Sequence, residues 1–203
     1  MNDALAYLER VAGQALGRAI AATESNALYK YLNLLIKWQK SQRLLGSSEP
    51  SWIVEHVIAD SLLFARVIPA GSRTLCDVGS GAGIPGIPLA AIMPSVDVTL
   101  LEARQKRGSF LAAVIRELGL ANCRLVIRRI EDAEVELRGH FDVAVMRCAG
   151  NPTALWPEIR PLLKEGGVAI ASGPPSARVV EFGDWLEVEG PSGRRRFWMH
   201  RAT

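Results

Sequence analysis

Apolar residues recur at helical spacing over positions 3–20, where Leu5, Leu8, Ala12, Leu16, Ala19 and Ile20 would share one face. The same period returns with Leu28, Tyr31, Leu32, Leu35 and Trp38, after a cap-like Thr23-Glu24-Ser25-Asn26 stretch. A polar break from Gly46 to Pro50 leads into a third amphipathic pattern over 52–67, which stops ahead of Pro69 and Gly71. The first third of the chain therefore predicts helices only.

After Gly71 the texture changes to short runs of β-branched and apolar residues, at 74–78, 96–101, 123–128, 141–146 and 168–172. Helical patterns separate most of them, the clearest at 104–118, with helical character again over 153–164. Strands alternating with helices predict an α/β fold, with a mostly parallel sheet covered on both faces. Near the end, runs at 185–189 and 194–200 flank Gly190-Pro191-Ser192-Gly193, which reads as an antiparallel hairpin. The expected organisation is a helical N-terminal extension (1–70) packed on a sheet-containing domain (71–203).

Composition narrows the class. Hydrophobic residues make up 49% and charged residues 22%, as in globular proteins and unlike disordered chains. Asp3, Glu9, Arg10 and Arg18 interrupt the segment where a secretory leader needs an apolar stretch, and no apolar run is long enough to cross a bilayer. A cytoplasmic location without membrane attachment is expected. Cys76, Cys123 and Cys148 are odd in number and widely spaced, which suits reduced core thiols and no metal site. The net charge of +3 is too small to mark a nucleic-acid binder on its own.

The chemistry concentrates at the end of the first predicted strand. Asp77-Val78-Gly79-Ser80-Gly81-Ala82-Gly83 places three alternating glycines where the backbone must turn sharply and a ligand can press against it. Ile84-Pro85-Gly86-Ile87-Pro88 then opens a helix, since proline suits a first turn. Gly81 to Gly86 also satisfies the dinucleotide fingerprint, and Glu102, closing the next strand, stands where a ribose-binding acid belongs. Asp77 turns the balance from NAD to S-adenosylmethionine: a carboxylate there favours an ammonium and would repel a pyrophosphate. Glu102 can accept both ribose hydroxyls.

The run from Asp77 to Leu89, both prolines included, resembles the bacterial small-subunit (16S) ribosomal RNA guanine-N7 methyltransferases of the glucose-inhibited division protein B type. Further matches are Trp38 with Lys40, His56 followed by Asp60-Ser61-Leu62, Val98 to Glu102, Lys106-Arg107 with Phe110-Leu111, Glu117 to Leu120, and Phe141-Asp142-Val143 leading to Arg147. The resemblance implies a Rossmann-like class I methyltransferase fold. It also implies S-adenosylmethionine as cofactor, with Asp77, Gly79, Gly81, Gly83, Ile84, Glu102, Ala103, Ile130, Glu131 and Arg147 around it. Small-subunit ribosomal RNA or the 30S particle is then the partner, and a monomer is expected. The chain departs from the family pattern at Arg43-Leu44-Leu45, Ile130, Cys148 and Ser172.

Guanine N7 carries a lone pair and no proton, so methylation there needs no general base and none is assigned. His56, Asp60 and Arg147 are the substrate-side candidates; His56 and Asp60, four apart on a helix, are within reach of pairing. Trp52, Trp156 and Trp185 are expected to pack, and Arg194-Arg195-Arg196 is one of several basic groups able to track phosphates. Two rival readings remain: an NAD-dependent oxidoreductase, and a non-catalytic RNA-binding or ribosome-assembly protein that keeps the fold.

Overall fold

In the computed structural model, which describes residues 2–147, 151–173 and 180–203, seven strands form one sheet in the order β3-β2-β1-β4-β5-β7-β6. β1 (Thr74–Val78), β2 (Asp97–Leu101), β3 (Cys123–Val126), β4 (Phe141–Arg147) and β5 (Leu163–Ser172) run parallel. The predicted hairpin is present as β6 (Asp184–Gly190) and β7 (Gly193–Arg201), with Gly190 opposite Gly193 and β7 antiparallel to β5. Insertion of β7 between β5 and β6 separates this sheet from the all-parallel 3-2-1-4-5-6 order of dinucleotide-binding folds.

Three helical elements precede the sheet. α1 (Asn2–Leu16) ends four residues before the pattern suggested: Gly17 takes a left-handed φ of 68° and Arg18 N–H returns to the Gly13 carbonyl at 3.3 Å. α2 (Ala22–Gln42) begins earlier than expected. Thr23 to Asn26 lie inside the helix and not ahead of it; Glu24 caps it from the third position, its carboxylate accepting from Ala21 N–H, and buried Ser25 donates to Glu9 at 2.7 Å. α3 (residues 50–66) passes from α-helix through a π-helical stretch, Val54–Ala59, to a 3-10 turn, Leu63–Arg66. A π-helix takes more residues per turn, so the stretch re-aims the residues around it.

α4 (Gly86–Ile92), α5 (Gln105–Leu118) and α6 (Ile130–Leu137) connect successive strands. The helical character expected over 153–164 breaks into single turns, because Pro157 and Pro161 remove backbone donors. Leu8, Tyr31, Leu32, Ile58 and Leu62 of the first three helices belong to the same apolar core as Leu75, Val98 and Leu100 of the sheet. No described helix is long and apolar enough to cross a membrane. Cys76 and Cys123 are free buried thiols, with burial pushing Cys123 up to about 12, so both stay protonated; Cys148 lies outside the described residues.

Candidate functional site

The glycine loop leaves β1 at the carboxyl edge of the sheet. Gly79, Gly81 and Gly83 all have positive φ (69°, 57° and 86°), which L side chains rarely adopt. A Cβ on Gly79 would meet nothing within 4 Å, whereas one on Gly86 would overlap Leu100 Cδ2 and come within 2.6 Å of Asp77 Oδ2. The first glycine thus gives open backbone to the cleft, and the last lets α4 sit directly on the sheet.

Two carboxylates hold this loop from within the protein. Glu102, only 4% exposed, accepts from Gly81 N–H and Arg104 N–H, both at 2.8 Å, with Arg107 Nη1 at 3.9 Å. Its two oxygens keep further lone pairs for ribose hydroxyls. Asp77 is fully buried; Oδ2 accepts from Gly86 N–H at 3.0 Å, and Oδ1 has no hydrogen-bond partner among the described residues. Burial pushes its pKa up to about 7, helped by the charge of Glu102 and opposed by the Gly86 hydrogen bond and the nearby Ser80 hydroxyl. From the other side Tyr31, completely buried in α2, donates its hydroxyl to the Ala82 carbonyl at 2.7 Å.

Gly79, Ala103, Ile130 and Glu131 line one cleft of about 230 Å³ over this edge, flanked by Arg128 and Arg129. The open glycine backbone, the Glu102 carboxylate and the orphaned Asp77 oxygen fit a cationic nucleoside. Gly81, Gly83 and Ile84 form the loop beneath. No cluster of His, Cys, Asp or Glu among the described residues could hold a metal.

His56, Asp60 and Arg147 instead border a second cavity of about 370 Å³, with Trp52 and Arg195. His56 and Asp60, within reach of pairing on one helix, share no hydrogen bond or ion pair. The Asp60 carboxylate accepts from Arg195 Nε at 2.9 Å and lies 3.9 Å from Arg147 Nη2, while Arg147 donates to the His56 backbone carbonyl at 3.0 Å. Burial raises the Asp60 pKa, opposed by Arg195, Arg147 and His56. Desolvation lowers that of Arg147, although 36% of its side chain is exposed. Tyr31 carries no motif of its own and Arg195 was legible only as part of the Arg194–Arg196 basic run; their distant partners, Ala82 and Asp60, bring them to the site.

A family model described as rRNA small subunit methyltransferase G matches residues 24–173. Ribosomal RNA small subunit methyltransferase G of Clostridium botulinum (strain ATCC 19397 / Type A) is 36% identical over 154 residues, covering 74% of this chain and 64% of the relative. The namesake from Neisseria meningitidis serogroup C is 38% identical over 153 residues, 75% of this chain and 72% of the relative. This chain thus aligns over 64% of the length of the clostridial relative. Among solved structures, cofactor-bound Rv0187 from MTB superposes with a TM-score of 0.59 at 16% identity, over 87% of this chain and 89% of that one. M. jannaschii TYW2 in complex with AdoMet gives 0.55 at 15% identity, over 71% and 74%. These likenesses show a Rossmann-like class I methyltransferase fold. The family match covers the glycine loop, both carboxylates and the Asp60–Arg147 contact, and the chain belongs to the rRNA small subunit methyltransferase G family.

Proposed function

We propose that the protein is an S-adenosylmethionine-dependent methyltransferase acting on guanine N7 of small-subunit ribosomal RNA, free or in the 30S particle, in the cytoplasm. The observation that carries this reading is the Gly81 N–H held by Glu102 beside the buried, half-satisfied Asp77 carboxylate, in a chain of this family.

When bound, the cofactor supplies a methyl group on a sulfonium. Gly79, Ala103, Ile130 and Glu131 would flank the adenosine end, and Glu102 would accept from the ribose hydroxyls. Asp77 would contribute negative charge from beneath the loop toward the ammonium, and Arg147, on the wall of the second cavity, would serve the acceptor side. Guanine N7 carries a lone pair and no proton, so the chain's work is to align it with the methyl group, whose bond to sulfur would break as the new one forms, and to exclude water, with no proton to remove. Residues 1–70 act as an extension that braces the catalytic domain of 71–203.

Titration with S-adenosylhomocysteine by calorimetry, then transfer of labelled methyl to isolated small subunits with nucleoside analysis, tests this. Saturable binding and label in 7-methylguanine are expected. Binding without transfer to immature, mature or deproteinised subunits would replace the reading with a non-catalytic assembly role.

A further inference from the structure

Arg107 meets Glu102 at the point where that carboxylate holds the glycine loop. Its Nη1 lies 3.9 Å from Glu102 Oε2 and 3.5 Å from the position a Cβ on Gly81 would take. The same Oε2 accepts from Gly81 N–H at 2.8 Å. A guanidinium, a buried carboxylate and the middle glycine of the loop therefore converge.

Packing of α5 sets this place. Arg107 and Leu111 stand one turn apart and face the loop together, Leu111 Cδ2 lying 3.0 Å from the position of a Cβ on Gly83. Buried Gly108 lets the first turn sit close to the sheet, since a Cβ there would come within 2.5 Å of Ile127 Cδ1. Phe110, also buried, meets Trp38 of α2 edge to face at 5.5 Å. The charge of Arg107 does not serve the helix itself. The first turn of α5 has no acidic residue, and Lys106 and Arg107 put two cations where the helix dipole is already positive. Among the described residues the carboxylate paired with Arg107 is Glu102.

Glu102 carries several demands at once. Oε2 serves Gly81 N–H, Oε1 serves Arg104 N–H, and the remaining lone pairs are those left for ribose hydroxyls. A cation about 4 Å from one oxygen offsets the desolvation of so buried a carboxylate and favours one orientation of its plane. We propose that Arg107 is a positioning residue: it holds Glu102 in the orientation that meets the ribose hydroxyls, and so sets the site's preference for ribose over a deoxygenated sugar. The inference rests on the S-adenosylmethionine reading and adds a residue that acts through Glu102.

The test titrates the full chain by calorimetry with S-adenosylhomocysteine and with its 2′,3′-dideoxy analogue, which lacks both ribose hydroxyls. Wild type should prefer the parent ligand at least about tenfold, because hydrogen bonds to a carboxylate are lost with the hydroxyls. Arg107→Met keeps an unbranched stem and removes the charge. It should bind the parent ligand about fivefold more weakly and the analogue within about twofold of wild type, so the preference shrinks. Arg107→Lys should restore most of it. In a Glu102→Gln background Arg107→Met should change affinity by less than about twofold, since its partner's charge is already gone. If Arg107→Met folds poorly, Arg107→Gln is read by the same ratio. Equal weakening of both ligands, or no weakening of either, marks a merely structural arginine and overturns the proposal. So does a full effect of Arg107→Met in the Glu102→Gln background. A wild type that binds both ligands equally keeps the cofactor reading but overturns the role given to Arg107; one that binds neither sinks the cofactor reading and the proposal with it.

Discussion

The Tyr31 hydroxyl donates to the Ala82 carbonyl at 2.7 Å, tying α2 to the glycine loop across 51 positions of sequence. The bond is fully buried, so removing its donor leaves a carbonyl without that partner in the interior. Tyr31→Phe should cost about 1–3 kcal/mol. It should also weaken S-adenosylhomocysteine binding several-fold, because a looser loop must be ordered by the ligand. Chemical denaturation and calorimetry read the two effects; a variant unchanged in both would show the contact to be incidental.

Glu102 has two tasks, holding Gly81 N–H and Arg104 N–H and facing the ribose position. Glu102→Gln keeps one carbonyl acceptor and the side-chain volume but loses the charge that makes such bonds strong. We expect affinity for S-adenosylhomocysteine to fall at least about tenfold, a difference of about 1.4 kcal/mol, and stability to fall by about 1–3 kcal/mol, because the new amide N–H2 faces one of the two backbone donors. Glu102→Ala, which removes both acceptors, should lose binding and also melt earlier. Equal affinity in wild type and both variants would remove Glu102 from the site.

Gly86 and Gly79 should separate packing from binding. A methyl at Gly86 overlaps Leu100, so Gly86→Ala is an overpacking change expected to cost about 1–3 kcal/mol. Gly79→Ala meets no neighbour and suffers only its positive φ of 69°, about 1–2 kcal/mol, yet it places a methyl at the edge of the cleft. Melting curves should therefore shift for both, while the ratio of affinity loss to stability loss should be larger at Gly79.

Asp77 makes a pH prediction whose sign can be worked out. Its native pKa is raised to about 7, whereas an unfolded aspartate titrates near about 3.9. Between these values the folded chain keeps a proton that the unfolded chain has released, so this contribution to stability is full below about pH 4 and is lost as pH rises toward 7. Denaturation of Asp77→Asn should lack that decline. If the ligand's ammonium favours the ionised form, affinity for S-adenosylhomocysteine should rise from pH 6 to 8 in wild type and stay flat in the variant. Calorimetry in buffers of different ionisation enthalpy should show proton release only for wild type. Parallel pH profiles in the two proteins would refute the assignment.

The sequence alone determined the features whose causes are local. Alternating glycines after a β-branched run specify a strand, a turn with positive φ and a helix start, so Gly79, Gly81 and Gly83 and the flanking elements were legible. So was the hairpin, because Gly190 and Gly193 bracket a two-residue turn between strand patterns. Tertiary structure decided what depends on partners far along the chain. Asp60 was legible as a charged residue on a helix, but its choice of Arg195 over His56 needed β7, 135 residues away, and the π-helical stretch before it. Asp77 was legible as a carboxylate at a strand's end; that it is buried and half-satisfied follows from α4 closing over it, which only Gly86 permits. Periodicity records which face of an element is apolar. Pairing of charges and burial of a carboxylate depend on which faces meet, and that is settled by packing of the whole chain.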